Sequence, residues 1–115
     1  MKYSLLFYEN PSEFERRENA EAGEYWGAWS SYIDLLADEN VLIRGNGAGL
    51  LGPQTATTLR GDLIQDGPMA DTKEQLGGVL LIDVPSLDEA IKWAQKAPCV
   101  GNGAVEIRPV LPDPS

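Results

Sequence analysis

The chain has 115 residues and 43% hydrophobic content, the size and composition of one globular domain that can bury its own core. Its formal net charge of −9 disfavours nucleic acid and anionic membrane surfaces as partners, because both are bound through clustered lysine and arginine. With no histidine and a single cysteine, Cys99, the chain excludes an internal disulfide, histidine-ligated zinc or haem, and nucleophiles activated by histidine.

The sequence predicts neither a membrane span nor a secretion signal. No apolar run reaches the roughly 18 residues that a bilayer-spanning helix needs. The N-terminal stretch MKYSLLFYENP lacks a small-residue cleavage site and predicts a first strand instead of a signal peptide. We therefore expect a cytoplasmic protein.

The first part of the chain predicts a strand, a helix and a second strand. Residues 2–8, KYSLLFY, are rich in apolar and aromatic residues, as strands are. Ser12 and Glu15 have the spacing of a capping box, and residues 22–36 carry apolar side chains at helical intervals. Residues 41–44, VLIR, predict the second strand.

A glycine-rich segment follows the second predicted strand. Gly47, Gly49 and Gly52 have the G-x-G-x-x-G spacing of dinucleotide-binding loops. Such loops bind phosphates at the N-terminus of a helix that follows directly, whereas Pro53 and the β-prone TATTL follow here. We therefore interpret the segment as a connection or a bulged strand, and we expect no nucleotide, metal or other cofactor.

The next segment, residues 56–65, predicts a β-hairpin. Gly61 and Asp62 form a two-residue turn of type II′, which has glycine at its first central position. This turn places Leu59 opposite Ile64 on one face of the hairpin.

The last part of the chain predicts a strand, a helix and a final strand. Residues 77–84, GGVLLIDV, read as a central strand whose two faces are both covered. Ser86 opens a capping box, and Pro98 ends the helix. Residues 102–110 form the last strand, with Glu106 and Arg108 on one face.

These elements predict an α+β fold with two helices on one face of an antiparallel sheet. The opposite face still carries apolar residues of the first and central strands, and something must bury them. A second copy of the same chain, packed sheet against sheet, is the simplest solution. We therefore expect a homodimer.

Three stretches resemble the DGPF branch of the YCII-related family: MKYSLLFY at residues 1–8, the run from DGPMADTKEQLGG to QKAP at residues 66–98, and AVEIRPV at residues 104–110. Met69 stands where the motif has phenylalanine. The resemblance implies one domain over residues 1–115, with a ferredoxin-like subunit that pairs as a dimeric α+β barrel.

The resemblance also implies what such proteins do. Some relatives are similar to dehydrochlorinases, for which a His-Asp pair has been proposed as the active site; this histidine-free chain lacks that pair. DGPF members are often encoded beside extracytoplasmic-function sigma factors, which implies a regulatory association and no demonstrated contact.

Residues 66–78, DGPMADTKEQLGG, form the most distinctive loop of the sequence. Asp66-Gly67-Pro68 predicts a tight reversal, Met69 an apolar plug into the core, and Gly77 a close approach of backbone or ligand. Structural roles explain all of these residues, and the alternative is a loop that rims a ligand cleft. The candidate ligand-binding residues are Tyr8, Asp66, Lys73, Glu74, Glu106 and Arg108.

Two functional classes follow from these residues, besides a purely structural dimer. The first is a dimeric accessory or binding protein that holds a small anionic or aromatic organic molecule. The second is a cofactor-free enzyme of lyase or isomerase type, with Asp66 or Glu106 as base and Tyr8 or Arg108 holding a developing anion. We expect the tryptophans to pack in the core or at an interface, and Cys99 to be no nucleophile.

Overall fold

The protein folds as a four-stranded antiparallel sheet with a separate hairpin, as described over residues 1–112 in a computed structural model. The last three residues of the predicted domain lie outside the described residues. The elements in chain order are β1 (Lys2–Glu9), α1 (Pro11–Arg16), α2 (Ala22–Asp38), β2 (Ala48–Gly49), a 3-10 turn (Pro53–Thr55), β3 (Thr57–Arg60), β4 (Leu63–Asp66), β5 (Gln75–Asp83), α3 (Leu87–Ala94) and β6 (Ala104–Pro109).

The strand order of the main sheet is β2-β5-β1-β6, and every neighbouring pair is antiparallel. Counting only these four strands along the chain, the second, third, first and fourth lie side by side. This is the order of a ferredoxin-like subunit, with the hairpin β3–β4 inserted between its second and third strands. The predicted α+β class with an antiparallel sheet is confirmed.

The core lies between one sheet face and the helices. Alternation along β1 sends every second side chain to this face, and Tyr3, Leu5 and Phe7 are buried there. Helices α2 and α3 contribute residues to the same cluster, namely Tyr32 and Leu36 from α2 and Ala90 and Ala94 from α3. The apolar helix stripes read from the sequence pack only in part: Leu36 and Ala90 are buried, whereas Trp26 and Leu87 are 47% and 49% exposed.

Local signals in the sequence predicted several elements correctly. Leu59 pairs with Ile64, and Gly61 has a φ of 57°, as the predicted turn requires. Ser86 is the N-cap of α3, where its hydroxyl accepts a hydrogen bond from the backbone N–H of Glu89 at 3.3 Å. These devices act over a few residues, which explains why sequence alone reveals them.

Three local predictions were wrong. Residues 41–44 form an isolated bridge, Leu42 with Ile82, and Gly45 with a φ of 81° turns the chain before the true edge strand β2. Helix α1 begins at Pro11, so Ser12 does not cap it; Asn10 stands at the N-cap, because proline suits the first helical position.

Met69 is the third wrong prediction, since it is 64% exposed instead of plugging the core. The physical reason is that the hairpin forms a sheet of its own, so no core lies beneath the loop that follows it.

The opposite face of the sheet carries no helix within the described residues, as the sequence predicted. Leu6, Val79 and Leu81 are only half-buried there, within the part of the chain that the structure describes. The hairpin likewise leaves Leu59 and Ile64 exposed, at 68% and 70%. Two-sided hydrophobic strands with one covered face leave a surface that another molecule can bury.

Candidate functional site

A cavity of about 300 Å³ lies between helix α2 and the β2–β5 edge of the sheet. Most of its wall is apolar or aromatic, and the side chains that form this wall include Phe7, Trp26, Trp29, Ile33, Leu42 and Leu80. Phe7 and Trp29 meet edge to face with ring centroids 5.0 Å apart, which fixes both rings. Trp26 and Trp29 therefore face a cavity, although the sequence predicted only core or interface positions for them.

The glycine-rich segment forms the outer wall of the cavity. Gly45, Gly47 and Gly49 all line it. A Cβ at Gly47 would lie 2.7 Å from the Leu80 side chain and 2.8 Å from the Val79 carbonyl oxygen, so only glycine fits against β5 here. The G-x-G-x-x-G spacing thus serves close packing and the cavity wall, and a 3-10 turn follows it instead of an α-helix.

One end of the cavity is closed by a buried polar network of Glu9, Arg17 and Tyr25. Arg17 Nη2 donates to Glu9 Oε1 at 2.9 Å, and Arg17 Nε donates to the Tyr25 hydroxyl oxygen at 3.0 Å. The Tyr25 hydroxyl lies 2.8 Å from Glu9 Oε1 and 2.7 Å from Oε2. Glu9 is only 2% exposed, and a carboxylate at that depth requires such partners.

Arg17 also binds the backbone that surrounds the network. Its Nη2 donates to the Gly77 carbonyl oxygen at 3.2 Å, and its Nη1 donates to the carbonyl oxygen of Leu50. Trp26 Nε1 in turn donates to the Arg17 carbonyl oxygen at 3.2 Å. The arginine thereby connects β1, β5, α2 and the segment after β2.

Strand geometry explains why the Glu9 carboxylate points into this site. Phe7 pairs with Gly78 and Tyr8 with Leu76, so Gly77 is an extra residue that bulges out of β5. A side chain at Gly77 would overlap the Glu9 carboxylate and lie 3.0 Å from Arg17 Nη2. The expected close approach at this glycine is present, and the group that approaches is the carboxylate.

The network keeps Tyr25 protonated. Burial raises the pKa of the Tyr25 phenol above its ordinary value, and the hydrogen bond to Glu9 raises this pKa further. A neutral phenol has one proton, which can serve only one Glu9 oxygen at a time. The Tyr25 hydroxyl and the Arg17 guanidinium therefore supply fewer hydrogen bonds than the two oxygens of a carboxylate can accept. Glu9 can still accept a hydrogen bond from a ligand in the cavity.

None of the six candidate residues read from the sequence lines this cavity. Tyr8 lies on the other face of β1. Glu106 and Arg108 pair with Leu6 and Ser4 on that same face, and Arg108 Nη2 donates to Glu106 Oε2 at 2.5 Å. Asp66 is exposed at the end of the hairpin strand β4. Lys73 and Glu74 are on the following loop, where Lys73 lines an open groove of about 620 Å³ beside Arg17 and Trp26. Their role in ligand binding stays a prediction.

Glu9 carried a signal that the sequence interpretation missed. The alternation that places Tyr3, Leu5 and Phe7 on the core face also places Glu9 there. A carboxylate at the end of an apolar face is unusual unless it is paired, and this signal was available without a structure. The sequence contained no such signal for Arg17 and Tyr25, because only the path of the chain between α1 and α2 brings these two residues to Glu9.

Cys99 is buried beneath the end of β6, and burial raises the pKa of its thiol to about 12. This agrees with the expectation that it is no nucleophile. Among residues 1–112, no group of three or more metal-binding side chains comes together, and no helix is long and apolar enough to cross a membrane.

Comparisons with known proteins place the chain in a family. An uncharacterized protein of Rhizobium meliloti (strain 1021) is 42% identical over 76 residues, which cover 55% of this chain and 61% of that relative. The solved structure of 5-chloro-2-hydroxyhydroquinone dehydrochlorinase from Burkholderia phenoliruptrix AC1100, in complex with 2,5-dihydroxybenzoquinone, matches with a TM-score of 0.57 and 18% identity, over 96% of this chain and 94% of that one. At that identity the likeness concerns the fold alone. The profile of the YCII-related domain matches residues 1–113, and the chain belongs to the YCII-related family.

Proposed function

We propose that this protein binds a small organic molecule in the cavity between α2 and β5. The observation that carries the proposal is the combination of an aromatic and aliphatic wall with a single buried polar end at Glu9, Arg17 and Tyr25. Ligand sites typically combine apolar walls with a few convergent polar groups in this way. The volume of about 300 Å³ is at the lower limit for such sites and suits a molecule of one ring.

The polar end suggests how a ligand would be oriented. The Glu9 carboxylate has acceptor capacity that Arg17 and Tyr25 do not use, so a ligand hydroxyl would donate to it. The ring would lie against Phe7 and Trp29, whose edge-to-face contact holds them in place. A relative of the same fold was solved with a dihydroxybenzoquinone, a small oxygenated ring, which supports this class of ligand.

A cavity-filling substitution tests the proposal. Gly49 lines the cavity, has open space around its Cα, and pairs with Gly78 opposite Phe7, so a side chain there points to the helix side. A library of small aromatic compounds, screened by thermal shift, should contain binders of the wild type that Gly49→Phe no longer binds. Gly101→Phe is the control, because it also has open space but lies in the loop before β6. Binders that Gly49→Phe retains unchanged would place the site elsewhere.

A second candidate is a cofactor-free enzyme of lyase type at the same site. The observation that favours it is a buried carboxylate, Glu9, that faces the cavity beside a protonated phenol. On the keto tautomer of a chlorinated hydroquinone, Glu9 would take the proton of a ring hydroxyl, the O–H electron pair would form a C=O bond, and the ring electrons would form the new C=C bond and expel chloride from the sp³ C–Cl carbon. Under conditions where circular dichroism shows the variant to be folded, Glu9→Gln should abolish product formation from chlorinated hydroquinones, whereas a pure binding protein would form no product even as the wild type.

The assembly is a further part of the proposal. Two copies would pack with their helix-free sheet faces together, which buries Leu6, Val79 and Leu81 in a dimeric α+β barrel. The motif DGPMADTKEQLGG supports assignment to the DGPF branch of the family. In this arrangement the cavity lies on the helix side of each subunit, so ligand binding and dimer formation use different faces of the sheet.

A further inference from the structure

We infer that the ligand of the cavity is a small aromatic carboxylate whose acid group is held by Arg44. This inference rests on the proposed function and deepens it by naming the chemical class of the ligand. The juxtaposition that carries it is an aromatic cavity lined both by Arg44, an exposed arginine with no side-chain partner among residues 1–112, and by the hydrogen-bond acceptor Glu9.

Arg44 differs from the other arginines of the chain. Arg16 pairs with Glu13, Arg17 with Glu9 and Arg108 with Glu106, and Arg60 contacts the sulfur of Met69. Among the described residues no carboxylate lies within 4.0 Å of the Arg44 guanidinium, and its side chain forms no hydrogen bond. Arg44 nevertheless lines the cavity, next to the turn at Gly45. Arg44 is exposed, so water satisfies it in the free protein, and its place in the cavity lining makes it available to a ligand anion in a protein with a net charge of −9.

Backbone hydrogen bonds place Arg44 and the Glu9 network beside different residues of β5. Beside Arg44, the N–H of Ile43 donates to the Leu81 carbonyl oxygen at 2.9 Å. Beside the Glu9 network, the N–H of Leu50 donates to the Gly77 carbonyl oxygen at 2.9 Å. Gly77 and Leu81 are four residue steps apart, which is about 13 Å along β5. The long arginine side chain can cover part of this distance, and a ring between Arg44 and Glu9 would lie against Phe7 and Trp29.

A carboxylate suits both the Arg44 guanidinium and the size of the cavity. The planar guanidinium presents its N–H groups in a fork that matches the two oxygens of a carboxylate. The cavity is also too small for a nucleotide, since its volume of about 300 Å³ is at the lower limit for ligand sites. A hydroxylated one-ring acid would satisfy Arg44, the aromatic wall and Glu9 together.

Isothermal titration calorimetry with two probes of the same shape tests the inference. The probes are 4-hydroxybenzoate and the neutral 4-hydroxybenzamide. We expect the wild type to bind the acid about tenfold more tightly or better, the gain typical of a hydrogen bond to a charged group. In Arg44→Gln the ratio of the affinities for acid and amide should fall to about one, while the affinity for the amide stays the same. Arg60→Gln is the matched control, since Arg60 lies on the exposed hairpin strand β3 and should keep the full preference.

The outcomes separate this inference from the proposed function. Equal binding of acid and amide by the wild type, or an unchanged preference in Arg44→Gln, overturns the inference and leaves ring binding in the cavity intact. Binding of neither probe also overturns it, and the Gly49→Phe screen then decides independently whether the cavity binds another molecule. The inference is supported if Arg44→Gln loses the preference for the acid over the amide while Arg60→Gln keeps it.

Discussion

The hydroxyl of Tyr25 lies 2.8 and 2.7 Å from the two carboxylate oxygens of Glu9, and the contact joins helix α2 to the end of strand β1. Both residues are almost fully buried, at 3% and 2% exposure. Arg17 binds both of them, so a charge that would be costly on its own is compensated inside the fold. The same three residues close the end of the cavity, and stability and ligand orientation therefore depend on one network.

Removal of the Glu9 charge should destabilise the protein strongly. Glu9→Gln preserves the shape but leaves the Arg17 guanidinium without its counter-ion, and Arg17 is only 11% exposed. We expect the free energy of unfolding in urea to fall by about 3 kcal/mol, as for other buried pairs that lose one partner. Glu106→Gln is the matched control, because it breaks an exposed pair with Arg108 and should cost less than about 1 kcal/mol. Equal losses in the two variants would contradict the account of the buried pair.

Two glycine-to-alanine substitutions should change stability in opposite directions. Gly77→Ala forces a methyl group onto the Glu9 carboxylate and should lower the free energy of unfolding by about 2 kcal/mol. Gly27→Ala lies in an exposed part of α2 with open space around it, and should raise stability by about 0.5–1 kcal/mol through helix propensity. Denaturant melts of both variants provide the test, and a stabilised Gly77→Ala would show that the bulge tolerates a side chain.

Charge on the helix-free face should separate the subunits of the proposed dimer. Leu81 lies on that face opposite Ser4, and a lysine there would be buried without a partner in the interface. Multi-angle light scattering should give twice the chain mass for the wild type and the chain mass for Leu81→Lys. Leu87→Lys on the exposed side of α3 should remain dimeric. A monomeric wild type at micromolar concentration would refute the dimer.

Stability should decline at high pH in a way that depends on Cys99. Burial raises the pKa of this thiol from its ordinary value near 9 to about 12 in the folded protein. The folded state therefore holds the proton more tightly than the unfolded state, so the thiol's contribution is complete below pH 9 and is lost as the pH rises toward 12. Between these limits the unfolding free energy of Cys99→Ala should fall less steeply than that of the wild type. If the unfolding free energies of the wild type and Cys99→Ala fall equally steeply with pH, the thiol does not titrate between pH 9 and 12.

The sequence by itself determined the elements that depend on short-range patterns. Alternation in residues 2–8 set the two faces of β1, and the turn at Gly61-Asp62 set the register of Leu59 with Ile64. The same alternation would have revealed Glu9, had it been followed one step further. Sequence composition also determined that histidine chemistry is absent, because the chain contains no histidine.

Only the tertiary structure decided where the candidate site lies. Arg17 reaches Glu9 and Tyr25 because the chain turns between α1 and α2, and Gly77 bulges because β1 and β5 pair with one extra residue. The chain pairs with β5 twice, at the Leu42–Ile82 bridge and at strand β2, and it turns at Gly45 between them. No local propensity specifies this arrangement. These contacts join residues far apart in the chain, and their free energy comes from packing and charge compensation that arise only after the sheet and helices have assembled.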